Sequence, residues 1–213
     1  MSGIKLFKNV SAESEEAMIK CFKAETRVFR KGETIAVYSS DMEYLYILLS
    51  GRAHLYCMDS EGEYTLLEHY AGDDIFGEAF AMPYGELGFA VEADSECEVM
   101  LIRFASIYGR CPNACEHHTQ VTRNLFELSA VKAQSLSARI NMISQRSVRR
   151  KLCAYLEYLR DKTGGSRFDI DVSLTHLAEY LCVDRSSMMH ELKAMCNEGL
   201  IEKQGKTIKL IKI

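Results

Sequence analysis

Two periodicities divide this chain. Its front part carries apolar residues in short runs separated by turn residues. Tyr44-Leu45-Tyr46-Ile47-Leu48-Leu49-Ser50-Gly51 is a continuous apolar run, rich in β formers and stopped by glycine, as a buried strand would be. Ala53–Met58 follows, then the polar Asp59-Ser60-Glu61-Gly62-Glu63, then Tyr64–Glu68. Two strand-like runs around a glycine-bearing turn predict a hairpin. Further turn signals fall at Lys31-Gly32, Ala71-Gly72-Asp73-Asp74 and Ala93-Asp94-Ser95. Short strands at such intervals predict an antiparallel sandwich or barrel.

Beyond Arg110 the period changes. From about Asn113 to Ser144 there is no glycine or proline. Leu125, Leu128, Leu136, Ile140 and Ile143 fall at helical spacing, with Phe126 and Ala133 on an overlapping face. This predicts one helix of about 28 residues, about 42 Å long at 1.5 Å per residue. A small β domain cannot cover that length, so the pattern favours pairing with a second chain over docking on its own chain. A second helix, capped by Ser147, is expected to reach Lys162 and stop at Thr163-Gly164-Gly165-Ser166. Phe168–Val172 alternates like a short strand.

The segment from Ser173 onward is the most informative. Leu174, Leu177, Ala178 and Leu181 fit a two-turn helix capped by Ser173. Cys182-Val183-Asp184 breaks it, and Arg185 to Asn197 forms a second helix with Met188, Leu192 and Met195 inward. Glu198-Gly199 ends that helix, and a hairpin turning at Gln204-Gly205 follows. Helix, tight turn, helix and two-stranded wing predict a winged helix-turn-helix. Asp184 is placed to cap the second helix, whose first turns project Arg185, Ser186, Ser187, Met189 and His190 as candidate readers of base edges. Ser147, Thr175, Lys203 and Lys206 are better placed for phosphate contacts. The bland alternative is a small helical domain with a hairpin and no nucleic-acid role.

The formal net charge of −4 argues, taken alone, against a nucleic-acid partner. The average conceals a dipolar chain. Residues 144–213 hold 13 Lys and Arg against 9 Asp and Glu, a net of +4, whereas residues 1–143 hold 13 against 21, a net of −8. The basic excess therefore lies in the region with the helix-turn-helix pattern. No run of about 18 apolar residues is present, and Met1 to Val10 lacks an apolar signal-peptide core, so no membrane partner and a cytoplasmic location are expected. The eight cysteines are then expected as free thiols. No P-loop, His-Glu-x-x-His helix or serine nucleophile elbow occurs, so no enzyme is expected.

Taken together, these motifs resemble the CRP/FNR family, the bacterial regulators related to the cyclic-AMP receptor protein and the fumarate–nitrate regulator. The resemblance is carried by Leu6-Phe7, Lys31-Gly32-Glu33-Thr34-Ile35, Tyr46–Gly51, Asp59-Ser60-Glu61-Gly62 and Ala71–Glu78 at the front. At the back it is carried by Leu174–Ser187 and Gly199-Leu200-Ile201. It implies an α+β chain in three parts. Residues 1–112 would form a cyclic-nucleotide-binding-like sensor, an antiparallel β-roll of the double-stranded β-helix or jelly-roll type. Residues 113–144 would form a dimerisation helix, and residues 145–213 a winged helix-turn-helix DNA-binding domain. The implied function is a homodimeric transcription regulator that binds a palindromic operator in double-stranded DNA under control of a small-molecule effector, with RNA polymerase as a possible further partner.

The departures matter as much as the matches. Family members that bind cyclic AMP follow Phe-Gly-Glu with an arginine that neutralises the cyclic phosphate. This chain keeps Phe76-Gly77-Glu78 but has Glu86-Leu87-Gly88-Phe89-Ala90 where the arginine should fall. Cyclic AMP is therefore not expected to bind in the family's manner, because a buried phosphate would meet carboxylates without a cation. Gly77, Glu78, Ala79, Leu87, Gly88 and Phe89 remain the candidate effector residues, and Leu87, Gly88 and Phe89 in place of the charged cassette point to a small apolar or aromatic effector. Glu78 either contacts that ligand or hydrogen-bonds its own loop. The N-terminal cysteine cluster of the fumarate–nitrate type is missing, since Cys21 stands alone. Relatives often carry Glu and Arg where this chain has Ser186 and His190, so their operators do not transfer.

Cys111-Pro112-Asn113-Ala114-Cys115-Glu116-His117-His118 is a separate chemical suspect. On a helix, Cys111, Cys115 and His118 share one face and could hold a metal or act as a redox switch. Cys-x3-Cys without a second pair is not a standard zinc pattern, so packing at the start of the long helix is the favoured reading. A redox- or metal-sensing regulator, or a ligand-binding module without DNA, are the alternative functions.

Overall fold

The computed structural model describes residues 4–38, 43–59, 61–62, 64–80, 88–109, 116–170 and 172–212. The chain divides between Lys132 and Ala133 into two compact units.

The first unit opens with a short 3-10 turn at Lys5–Phe7 and helix α1 (Ala12–Cys21). Ser11 caps α1, its Oγ accepting the Ser14 N–H at 3.2 Å, and Glu13 and Glu15 face the positive end of the helix dipole. Eight strands follow: β1 (Glu25–Phe29), β2 (Thr34–Tyr38), β3 (Tyr44–Ser50), β4 (Ala53–Met58), β5 (Tyr64–Tyr70), β6 (Ile75–Phe76), β7 (Gly88–Ala93) and β8 (Cys97–Arg103). They form two four-stranded antiparallel sheets, ordered β1-β8-β3-β6 and β2-β7-β4-β5. The expected hairpin is β4–β5, with Met58 opposite Tyr64.

The apolar run of β3 is continuous because both faces of its sheet are covered. Tyr46 and Leu48 point into the core between the sheets, with Leu55, Tyr70, Phe76, Val91 and Val99. Leu45 and Ile47 point the other way, against Leu6, Phe7, Met18, Phe22 and the long helix residues Val121 and Leu125. Gly51, at φ +94°, turns the chain from β3 into β4; a Cβ there would collide with the Glu96 carbonyl.

After α2 (Phe104–Tyr108), α3 spans Glu116–Ile143 as one unbroken helix of 28 residues. The second unit adds α4 (Val148–Thr163), β9 (Arg167–Asp169), α5 (Leu174–Tyr180), α6 (Arg185–Asn197), β10 (Ile201–Gln204) and β11 (Thr207–Leu210). Ser147 caps α4, and Gly164, at φ +72°, closes it by donating its N–H to the Arg160 carbonyl. Met142, Leu152, Leu156, Leu177, Leu181, Met188, Leu192 and Ile208 share its core. The wing differs in two ways from expectation. Its two-residue turn is Gly205-Lys206, one position later than predicted, because Gln204 still pairs with Thr207. Its sheet has three strands, since β9 pairs with the outer side of β11 through Phe168 and Ile208.

Candidate functional site

The helix-turn-helix is assembled by local chemistry. Ser173 caps α5 by accepting the His176 N–H at 3.1 Å. Cys182 takes a left-handed backbone, φ +50°, which folds the chain back so that the Val183 N–H reaches the Ala178 carbonyl at 3.0 Å. Small, buried Ala178 sits at this close approach. Asp184 then starts α6. Its Oδ1 accepts from the Ser186 hydroxyl at 2.6 Å, the Ser187 N–H at 2.9 Å and the Ser187 hydroxyl at 3.0 Å. These donors, the Ser186 hydroxyl foremost, hold the Asp184 carboxyl down at about 2.

Met188, Leu192 and Met195 bury one face of α6, and Arg185, Ser186, Ser187, Met189 and His190 lie exposed on the rest of its N-terminal half. The two serine protons are spent on Asp184, which leaves their lone pairs as the available hydrogen-bonding capacity. Of the predicted phosphate contacts, Thr175 and Lys206 are exposed, Ser147 is the α4 cap, and Lys203 Nζ donates to the Gly205 carbonyl at 2.6 Å across the wing turn.

Two cations the sequence reading passed over hold this arrangement. Arg149 on α4 donates Nε to Glu191 at 2.6 Å and clamps Glu198 with both terminal nitrogens at 2.7 and 2.6 Å. It thereby pairs with both acidic residues along and after α6 and offsets one of their two negative charges. Lys151 Nζ lies 3.1 Å from each of the Leu181 and Cys182 carbonyls, at the negative end of α5. Neither partner set is near in sequence, so no local signal announces it.

In the first unit, β6 delivers Phe76 into a stack with Tyr46 (5.1 Å) and Tyr70 (4.9 Å). Gly77, at φ +92°, turns the chain, and Glu78 begins a 3-10 turn. Among the described residues, the Glu78 carboxylate meets a cation from α3. Its Oε1 lies 2.8 Å from Lys132 Nζ on α3, which also lies 3.0 Å from Glu68 Oε2 and 5.0 Å above the Tyr70 ring. The Tyr70 hydroxyl donates to Glu68 at 2.5 Å. Burial, then the neighbouring groups, push the Tyr38 and Tyr70 phenols well above their ordinary range. Burial alone would lower the Lys132 ammonium, but Glu78 and Glu68 outweigh it and hold it above its ordinary value. Of the other candidate effector residues, Ala79 is exposed, Gly88 is half-buried and Phe89 belongs to the core between the sheets. Leu87 and Glu86 lie outside the described residues.

Cys111 and Cys115 also lie outside the described residues. His118 is engaged structurally: its Nε2 lies 3.1 Å from the Ser106 carbonyl and its ring meets Phe22 edge-on at 5.1 Å. Among the described residues, no helix is long and apolar enough to cross a membrane.

A family model for the cyclic nucleotide-binding domain matches residues 26–110, and one for the Crp-like helix-turn-helix domain matches residues 150–213. The chain is 25% identical over 211 residues to the probable transcriptional regulator Flp of Lacticaseibacillus casei, covering 98% of this chain and 92% of that protein. Among solved structures, FixK2 from Bradyrhizobium japonicum matches with a TM-score of 0.64 at 21% identity, over 88% of this chain and 92% of that one. The catabolite activator protein of Thermus thermophilus matches with a TM-score of 0.52 at 20% identity, over 98% of this chain and 94% of that one. The structural likenesses speak for the fold, and the two domain matches in this order speak for the lineage. A roll with the Phe-Gly-Glu turn, a long helix and a winged helix-turn-helix, matched in sequence at both ends, make this chain a member of the CRP/FNR family of DNA-binding transcription regulators.

Proposed function

We propose that the chain works as a homodimer that binds a palindromic operator, with its DNA affinity set by a small effector held in the roll. The observation that carries the reading is the split character of α6: Met188, Leu192 and Met195 lock it into the unit, while Arg185, Met189 and His190 stay exposed beside an ordered N-cap. In a major groove, Arg185 would pair with guanine, His190 and the serine lone pairs would meet neighbouring base edges, and Thr175, Ser147, Lys203 and Lys206 would face phosphates. Two such helices on a dimer would address half-sites about 34 Å apart.

Dimerisation is supported by α3. Its residues Val121 and Leu125 are buried, yet Phe126 is 75% and Ile140 61% exposed, with Ala133 and Leu136 exposed between them. Positions 126, 133 and 140 recur at seven-residue spacing, the seam a second α3 would cover. Cyclic AMP is not the effector in this reading. Residues 81–87 carry no lysine or arginine, and the cation beside Glu78 is already held by two carboxylates. The protein acts in the cytoplasm, without catalysis.

The test is selection of bound fragments from genomic DNA by the purified protein, followed by titration of the recovered sites. An inverted repeat with half-site centres one helical turn apart is expected. Arg185→Ala is expected to cost at least about tenfold in affinity and to relax discrimination at one base pair in each half-site. No retention of DNA at low salt would remove the reading.

A further inference from the structure

We propose that Glu68, Glu78 and Tyr70 form an alkylammonium-binding box inside the roll, that Lys132 of the same chain fills it in this state, and that the effector is an organic amine competing with that lysine. The proposal rests on the effector-controlled reading above and names the chemical class of the effector.

Lys132 reports what the box recognises. Its ammonium lies 2.8 Å from Glu78 Oε1, 3.0 Å from Glu68 Oε2 and 3.4 Å from the Tyr70 hydroxyl, with the Tyr70 ring 5.0 Å beneath it. Two carboxylates and a phenol face around one cation are the chemistry of an amine site. The groups are largely withdrawn from water, with side-chain exposures of 20% for Lys132, 13% for Glu68 and 8% for Glu78.

The box is also incompletely satisfied. Two carboxylates meet one ammonium, so a unit negative charge remains. Glu78 Oε2 is buried and has no hydrogen-bond partner among the described residues. A buried carboxylate oxygen without a donor is costly, and a ligand bringing further N–H donors relieves that cost. An anionic ligand would add a second uncompensated negative charge. The sign of the box thus selects cations and rejects phosphates.

Competition has a consequence because of where Lys132 lies. It is on α3, the helix with the exposed Phe126–Ile140 stripe, and its two ion pairs tie that helix to β5 and to the turn after β6. An amine that takes over Glu68 and Glu78 releases the tie, and its differential affinity for the released state shifts the population toward it.

The test uses the full-length protein. Calorimetry of the wild type with 1,4-diaminobutane is expected to show saturable binding, and Glu78→Gln is expected to weaken it by about tenfold or more, the loss of one charge-assisted hydrogen bond. In Lys132→Ala, n-propylamine is expected to raise the melting temperature saturably, beyond n-propanol or sodium chloride at matched concentration, and Glu78→Gln in that background is expected to abolish the gain. Absence of diamine binding by the wild type overturns the effector claim even if the rescue succeeds. Rescue no better than by propanol or salt, or rescue that survives Glu78→Gln, overturns the box itself. Operator binding separates the two readings: DNA retained without amine binding sinks only this inference, and amine binding without DNA sinks the function proposed above.

Discussion

Asp184 is the residue that organises the exposed end of α6. Its carboxyl is brought from an ordinary 3.8 to about 2 by the Ser186 hydroxyl first, then by the N–H and hydroxyl of Ser187. A carboxyl depressed on folding contributes stability that is fully present above its ordinary value and is lost as pH falls through about 2. The cap is therefore ionised throughout the neutral range. Ser186→Ala removes the largest of these donors, and an NMR titration of Asp184 is expected to show the midpoint rising from about 2 toward 3.8. Arg149 carries the complementary role. Hydrogen bonds to Glu198 and Glu191 hold its guanidinium above its usual range, and the two glutamates are thereby masked beside the exposed helix face. Arg149→Ala is expected to weaken operator binding about five- to tenfold at low salt, read by fluorescence anisotropy, with the loss shrinking as salt screens the unmasked charge. The first of these residues was legible in the sequence, because an aspartate followed by two serines ahead of an apolar helical period is a local signal. Arg149 was not, since its partners lie far along the chain.

At the scale of elements, helices and hairpins were legible, and strand partners beyond a hairpin were not. Helix α6 begins and ends where the apolar period and the Asp184 and Glu198-Gly199 signals put it, at Arg185 and Asn197. A helix is closed by bonds between near neighbours, so its limits are written locally. Strands β3 and β4 follow each other with Gly51 and Arg52 between them, yet they belong to different sheets. β9 joins the wing sheet from more than thirty residues upstream of it, a pairing the alternation of Phe168–Val172 suggested only as a strand without a partner. The long helix was legible both as a helix and as a surface in excess of one domain. Ile140→Glu, on the exposed stripe, is expected to convert the dimer to a monomer in sedimentation velocity while the melting temperature of the folded units changes little. A dimer that persists in this variant would move the interface off α3.

At the scale of the whole molecule, function follows the distribution of charge rather than its sum. The C-terminal 70 residues carry the basic excess, and affinity for DNA should come from them through counterion release. Lys206 is exposed at the wing turn. Lys206→Ala is expected to lower the slope of log affinity against log salt by about 0.9 per protomer, with little change in sequence preference. The two units divide within a single helix, at Lys132. One helix therefore belongs to both units and carries the ammonium held in the roll, and an effector has a covalent route to the rest of the chain.

The sequence alone determined the periods, the caps, the placement of charge and the absence of lysine and arginine from residues 81–87, because each of these is written in residues close together or in residue type itself. It also determined that Glu78 was a residue to watch. What Glu78 touches was decided only by the tertiary structure. The contact with Lys132 depends on β5, the turn after β6 and α3 converging, and neither the strand period nor the helix period carries that information. The same holds for Arg149 with Glu191 and Glu198. A buried carboxylate must find a cation, but chain folding decides which one, and that choice turned a site expected to suit an apolar ligand into one whose charge favours an amine.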